Sequence, residues 1–148
     1  MINLDKIECL IITSSVKSIP EIDKNIIAFS TQTKNENFLY ETLKNIEKFS
    51  KIKNFVLVHD FKIDSNTAYK HHKNILKLSS IFNIKILVSP SSTKIPSQIS
   101  ATNAFKLGIE SINNEFFLFW EHDHLFKVGI DWNIINDCIS CGARMIRF

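Results

Sequence analysis

Residues 108–123 read GIESINNEFFLFWEHD. Asn113 and Asn114 mark a turn, Glu115–Trp120 form a short apolar run rich in aromatic residues, and Glu121, His122, Asp123 and His124 follow without a break. A run of that length and composition bounded by turn residues reads as a buried strand. Leu125 and Phe126 return to the interior at once, so the polar cluster is held between apolar anchors.

The same pattern recurs upstream. IECLIIT (7–13) and NFVLVHD (54–60) are apolar, β-branched runs that end in polar residues, and IKILVSP (84–90) is a third, closed by Pro90. Helical spacing separates them. Leu39, Leu43, Ile46 and Phe49 recur at three and four residues, behind a capping box formed by Thr33 and Glu36. Ser65 can cap a second helix, with Tyr69, Ile75, Leu76, Leu78 and Phe82 inside and Lys70, His71, His72 and Lys73 in solvent. A third helix starts near Ser97 and carries Ile99, Phe105, Leu107, Ile109 and Ile112. Residues 14–32 contain Pro20 and IIAFST, and are read as an extra strand or a long loop; GARMIRF at the end reads as another strand.

Strands that alternate with helices and are apolar nearly throughout imply an α/β domain with a mainly parallel sheet covered on both faces. Its 148 residues suit one domain with a single core. Such sheets bind ligands at the carboxyl ends of their strands. Thr13, Ser14, His59, Asp60, Ser89 and the cluster at 121–124 therefore converge on one edge.

Composition narrows the function classes. The chain is 45% hydrophobic and 22% charged, which excludes disorder and fibrous repeats. A net charge of +3, thinly spread and without a basic run, gives no reason to expect nucleic acid. Asp5 and Glu8 beside the first apolar run are unlike a signal peptide, and no apolar run approaches membrane-spanning length. Cys9, Cys138 and Cys141 form no even disulfide framework, so a reducing cytoplasm is expected, with peripheral contact at a membrane's inner face left open. Cys138 and Cys141 read as core or helix-end thiols rather than a redox pair.

If the strand runs on through the cluster, alternation puts Glu121 and Asp123 on one face and His122 and His124 on the other. Paired carboxylates are hard oxygen ligands, suited to Mn2+ or Mg2+ held together with phosphates. Paired imidazoles suit zinc, which needs further ligands; His59, His71, His72 and Cys138-x-x-Cys141 are the candidates. Phe116, Phe117, Phe119 and Trp120 read as core. Trp132, next to Asp131, offers either packing or a stacking surface for a sugar.

The stretch Gly108–Asp123 resembles the central segment of nucleotide-sugar-dependent glycosyltransferases of the A-type fold, especially the large inverting family. There a helix ends in Gly-Ile plus a small residue, turns, and enters a strand finishing in Asp-x-Asp; here Glu121 takes the place of the first Asp. The resemblance implies a Rossmann-like nucleotide-sugar-binding domain over 1–148 that lacks part of the acceptor-binding half, since little chain follows the motif. It implies a nucleotide contact at Thr13, Ser14 and Asp60, with Asn103 as the nearest polar substitute for an absent Arg-Asn pair. It further implies a cation held by Glu121 and Asp123, a nucleotide-sugar donor and a glycan or lipid-linked saccharide acceptor. Asp131 and Asp137 are the remaining carboxylates for a general base. Two other readings stand beside it: a zinc hydrolase using His122, Asp123 and His124, and a catalytically incomplete domain that binds nucleotide or a protein partner.

Overall fold

The computed structural model describes residues 2–14, 35–121 and 125–146, with side chains of the first helix from Leu39 onward. A 3-10 turn at Leu4–Lys6 leads into β1 (Glu8–Ser14), then α1 (Asn35–Ser50), β2 (Asn54–Lys62), α2 (Asn66–Leu78), β3 (Asn83–Ser91), α3 (Ser97–Glu110), β4 (Phe117–Glu121) and α4 (Trp132–Ser140). The four strands form one all-parallel sheet in the order β3-β2-β1-β4. This is a Rossmann-like α/β arrangement. The chain steps outward from β1 to β3 and then crosses back to the other side of β1. With right-handed crossovers, that reversal puts α1 and α2 on one face and α3 on the other.

The two cores follow that division. Cys9, Ile11, Phe55 and Leu57 face Leu39, Leu43 and Ile46 of α1 and Ile75 and Leu78 of α2. On the opposite face Leu10, Val56 and Val58 pack with Ala104 of α3. The buried positions of α3 are Ser100, Ala104 and Gly108, a small-residue stripe at four-residue spacing. This corrects the apolar face expected from its large residues: Ile99 is 54% exposed and Ile109 40%. Small residues let the helix backbone sit close to the sheet, and Phe105, Leu107 and Ile112 pack along its flanks. A Cβ at Gly108 would stand 2.5 Å from Leu10 Cδ1.

Other elements also depart from expectation. His71 is buried because it shares a stripe with Ala68, Ile75 and Leu78, whereas Tyr69 and Leu76 are exposed. Ser65 occupies the N-cap of α2 without capping it; its hydroxyl lies 2.7 Å from that of Thr67. Pro90 lies inside β3 rather than closing it, which an edge strand permits. β4 is also an edge strand, so of its largely aromatic run only Leu118 is buried and Phe119 is 42% exposed. Residues 142–146 are not a strand. Gly142, at φ 90°, closes α4: its amide donates to Ile139 O and that of Ala143 to Cys138 O, the paired bonds of a Schellman end. The expected capping box at Thr33 and the ambiguous stretch up to Gln32 lie outside the described residues.

Candidate functional site

The four strands end together at Ser14, Lys62, Ser91 and Glu121. β1 lies between the strands that leave in opposite directions, and Ile12 of β1 is the register partner of Glu121. The point where strand order reverses is where an open parallel sheet leaves a crevice for its ligand. Glu121 is exposed and shares a sheet face with Phe117 and Phe119; Ser14 is half-buried. His122, Asp123 and His124 lie outside the described residues.

The chain that returns from the cluster is strapped along α1. Asn45 accepts a bond from the Phe126 amide at 2.7 Å and donates one to the Phe126 carbonyl at 3.2 Å. Phe126 is buried and stacks on Trp120, with centroids 3.8 Å apart and planes within 15°. Ile130 N donates to Phe49 O, and Trp132 Nε1 to Ser50 O at 2.8 Å. Trp132 therefore packs against the larger core. Along β4 runs an apolar cleft of about 870 Å³, lined by Phe105 and Ile109 of α3, Phe117, Phe119 and Trp120 of β4, and Ile135 and Ile139 of α4, with Glu121 and Arg144 among its polar residues; Trp132 lines it too.

Asp60 has both carboxylate oxygens engaged. Ser91 Oγ donates to Oδ1 at 2.6 Å, Ser100 Oγ to Oδ2 at 2.9 Å, and Lys62 Nζ stands 3.0 Å from Oδ2 and 2.6 Å from Ser100 Oγ. The pair is nearly buried, with side chains 5% and 12% exposed. Carboxylate, ammonium and two hydroxyls thus tie β2, β3 and α3 together at the carboxyl edge. Lys62, Ser91 and Ser100 were not singled out in the sequence; the only local signal was Lys62 two residues beyond Asp60 on the same strand face. A second tie links the loops above. Asp64, after β2, accepts bonds from the Thr93 amide and hydroxyl and from Ser92 Oγ, after β3, and the Thr93 bonds hold its carboxyl well below the usual range.

On the other face His59, beside Asp60 in β2, is fully buried. Its Nδ1 lies 3.2 Å from His72 Nδ1, and its ring centroid is 5.0 Å from that of His71. Thr13 Oγ1 lies 2.9 Å from His71 Nε2, which buries the Thr13 hydroxyl within this cluster. Burial, reinforced by the facing His71 and His72 imidazoles and weakly opposed by Asp60, pushes the His59 pKa down to about 3.

The remaining predicted residues are dispersed. Asn103 is exposed on α3. Asp131 caps α4, its Oδ1 accepting from Asn133 N at 3.0 Å and Ile134 N at 3.4 Å. Asp137 is exposed and two residues from both Ile135 and Ile139, hence on the helix side away from the cleft. Cys138 is half-buried and Cys141 exposed; both are free thiols, and burial pushes that of Cys9 far up. Among the described residues no group of three or more His, Cys, Asp and Glu stands so as to hold a metal ion, and no helix is long and apolar enough to cross a membrane. Comparison of the chain with protein-family models, with curated proteins and with solved structures gives no match.

Proposed function

We propose that the domain binds a nucleotide sugar with a divalent cation, Mn2+ or Mg2+, beside the ends of β1 and β4, and transfers the sugar to a hydroxyl of a glycan or lipid-linked saccharide. One observation carries this reading: the acidic motif of the family resemblance begins at Glu121, at the reversal point of a β3-β2-β1-β4 parallel sheet, where ligands of such sheets bind. The donor set fits a hard cation, since Glu121 presents an exposed carboxylate and the sequence adds Asp123 two residues on. When bound, the cation would offset the negative charge that develops on the diphosphate leaving group.

The protein's own residues support this by position. The Asn45 bracket on Phe126 fixes the chain on the far side of the motif, as β4 pairing fixes it on the near side. Ser14 presents a hydroxyl on the neighbouring strand end. Asp60, with its oxygens bonded to Ser91, Ser100 and Lys62, serves by holding the ends of β2 and β3 in place rather than by touching a ribose. The apolar cleft beside Glu121 suits an acceptor with an apolar portion, such as a lipid-linked saccharide. Because Asp131 caps α4 and Asp137 faces away from the cleft, neither is assigned as proton acceptor.

The test is thermal unfolding with a panel of nucleoside diphosphate sugars, with Mn2+ or with a chelator. A ligand at one hundred times its Kd stabilises by about 2.7 kcal/mol, which in a domain of this size raises Tm by about 5–10 °C. That shift is expected only when donor and cation are both present. No shift with any donor, or an equal shift in chelator, would reject the proposal.

A further inference from the structure

The histidines that the proposed function does not use are packed as a unit. His59 of β2, and His71 and His72 of α2, bring their rings within 5.0 and 5.4 Å, and Phe61 and Tyr69 close the group edge-on. The group lies at the carboxyl ends of β1 and β2, because Thr13 and His59 are register partners and the Thr13 hydroxyl reaches His71. His59 Nε2 is buried and has no hydrogen-bond partner among the described residues.

We propose that His59, His71 and His72 form an acid-sensitive latch, which fastens α2 to the carboxyl ends of β1 and β2 when neutral and releases it when protonated. The contact between His59 Nδ1 and His72 Nδ1 at 3.2 Å needs a hydrogen on one nitrogen and a lone pair on the other. If both rings are imidazolium, both nitrogens carry hydrogens and the contact is lost. An imidazolium at His59 would also be cut off from water, packed against the rings of His71 and His72. Of the elements packed around His59, α2 contributes the titratable His71 and His72, β1 the neutral Thr13, and β3 the apolar Val88 as register neighbour. Asp60, on the same strand, is the one carboxylate among the described residues that acts on it, and it is already paired with Lys62.

The direction follows from linkage. His59 resists protonation when α2 is docked, and titrates near its ordinary value of 6.5 once α2 is released. The latch is therefore fully closed above pH 6.5, and opening grows as pH falls toward 3. For one histidine the opening constant rises about tenfold between pH 7.5 and 5.5.

The experiment is amide hydrogen exchange on the full chain at these two pH values, corrected for intrinsic rates, with α3 on the opposite face as internal control. It is combined with an NMR titration of the histidine rings. The expected result is that α2 loses about tenfold protection relative to α3, that His59 stays neutral in the closed form, and that His59→Leu abolishes the α2 response. Parallel changes in α2 and α3, a His59 that titrates near 6.5 while α2 remains protected, or a response retained in His59→Leu would overturn the proposal. The wild-type measurements decide the matter even if the variant fails to fold. None of them depends on nucleotide or metal binding.

Discussion

Replacing Gly108 with alanine tests how closely α3 lies on the sheet. The added methyl would stand 2.5 Å from Leu10 Cδ1, 3.1 Å from Val58 Cγ2 and 3.2 Å from Leu10 Cδ2. Non-bonded carbons prefer about 3.5–4.0 Å, so Leu10 must turn or α3 must lift by about 1 Å. Leu10 and Val58 are fully buried, which leaves little room to turn. Overpacking of this kind costs about 1–3 kcal/mol, and exchanging glycine for alanine in a helix interior offsets about 0.8–1 kcal/mol. The expected net loss is about 1 kcal/mol, or about 2–4 °C in Tm for a chain of this size. Gly108→Val, with more bulk and no propensity gain of that size, should lose more. Urea unfolding followed by circular dichroism measures both, with an unchanged denaturant slope as the sign that only stability has moved. A Gly108→Ala protein as stable as the parent, or more so, would refute the close approach. It would also remove the reason given for the small-residue stripe at Ser100, Ala104 and Gly108.

Three further outcomes are expected. Asp60→Ala leaves the Lys62 ammonium nearly buried without its carboxylate and should destabilise by about 3–5 kcal/mol, whereas replacing Asp60 and Lys62 together with apolar residues should lose less; equal losses in urea unfolding would contradict the buried pair. Asn45→Ala removes both bonds to the Phe126 backbone and should lose about 1–3 kcal/mol, with exchange rising at residues 126–132 before the rest of the chain; unchanged exchange there would refute the strap. Protein dialysed without chelator should hold no stoichiometric zinc by elemental analysis, and retained zinc would favour the hydrolase reading of His122, Asp123 and His124 over sugar transfer.

How far the sequence could be read depended on the range of the interactions. The strands were legible because a parallel strand buried on both faces is apolar at every position, as in IECLIIT and NFVLVHD, and β1 and β2 fall where those runs do. The face of α3 was misjudged because periodicity weighs bulk, whereas the contact with the sheet is made by Ser100, Ala104 and Gly108, whose lack of bulk is the reason they are there. His71 was placed in solvent on account of its polarity, although its spacing from Ala68, Ile75 and Leu78 marks the inner stripe. Asp60 was visible as a strand-end carboxylate, but its partners Ser91 and Ser100 come from β3 and α3, and no local spacing encodes such a meeting. The final strand was a misreading of Gly142, whose positive φ ends α4. For the cluster, the sequence and the fold agree on where Glu121 stands, at the end of the last strand.

Joint binding of a cation by Glu121 and Asp123, with a diphosphate touching it, is measured by calorimetric titration of a nucleoside diphosphate into the protein in Mn2+ or in chelator, for the parent chain and for Asp123→Ala. Cation-dependent binding is expected in the parent, with a loss of at least about tenfold in the variant, which corresponds to about 1.4 kcal/mol. Nucleotide affinity that is the same in chelator, or unchanged in Asp123→Ala, would contradict it.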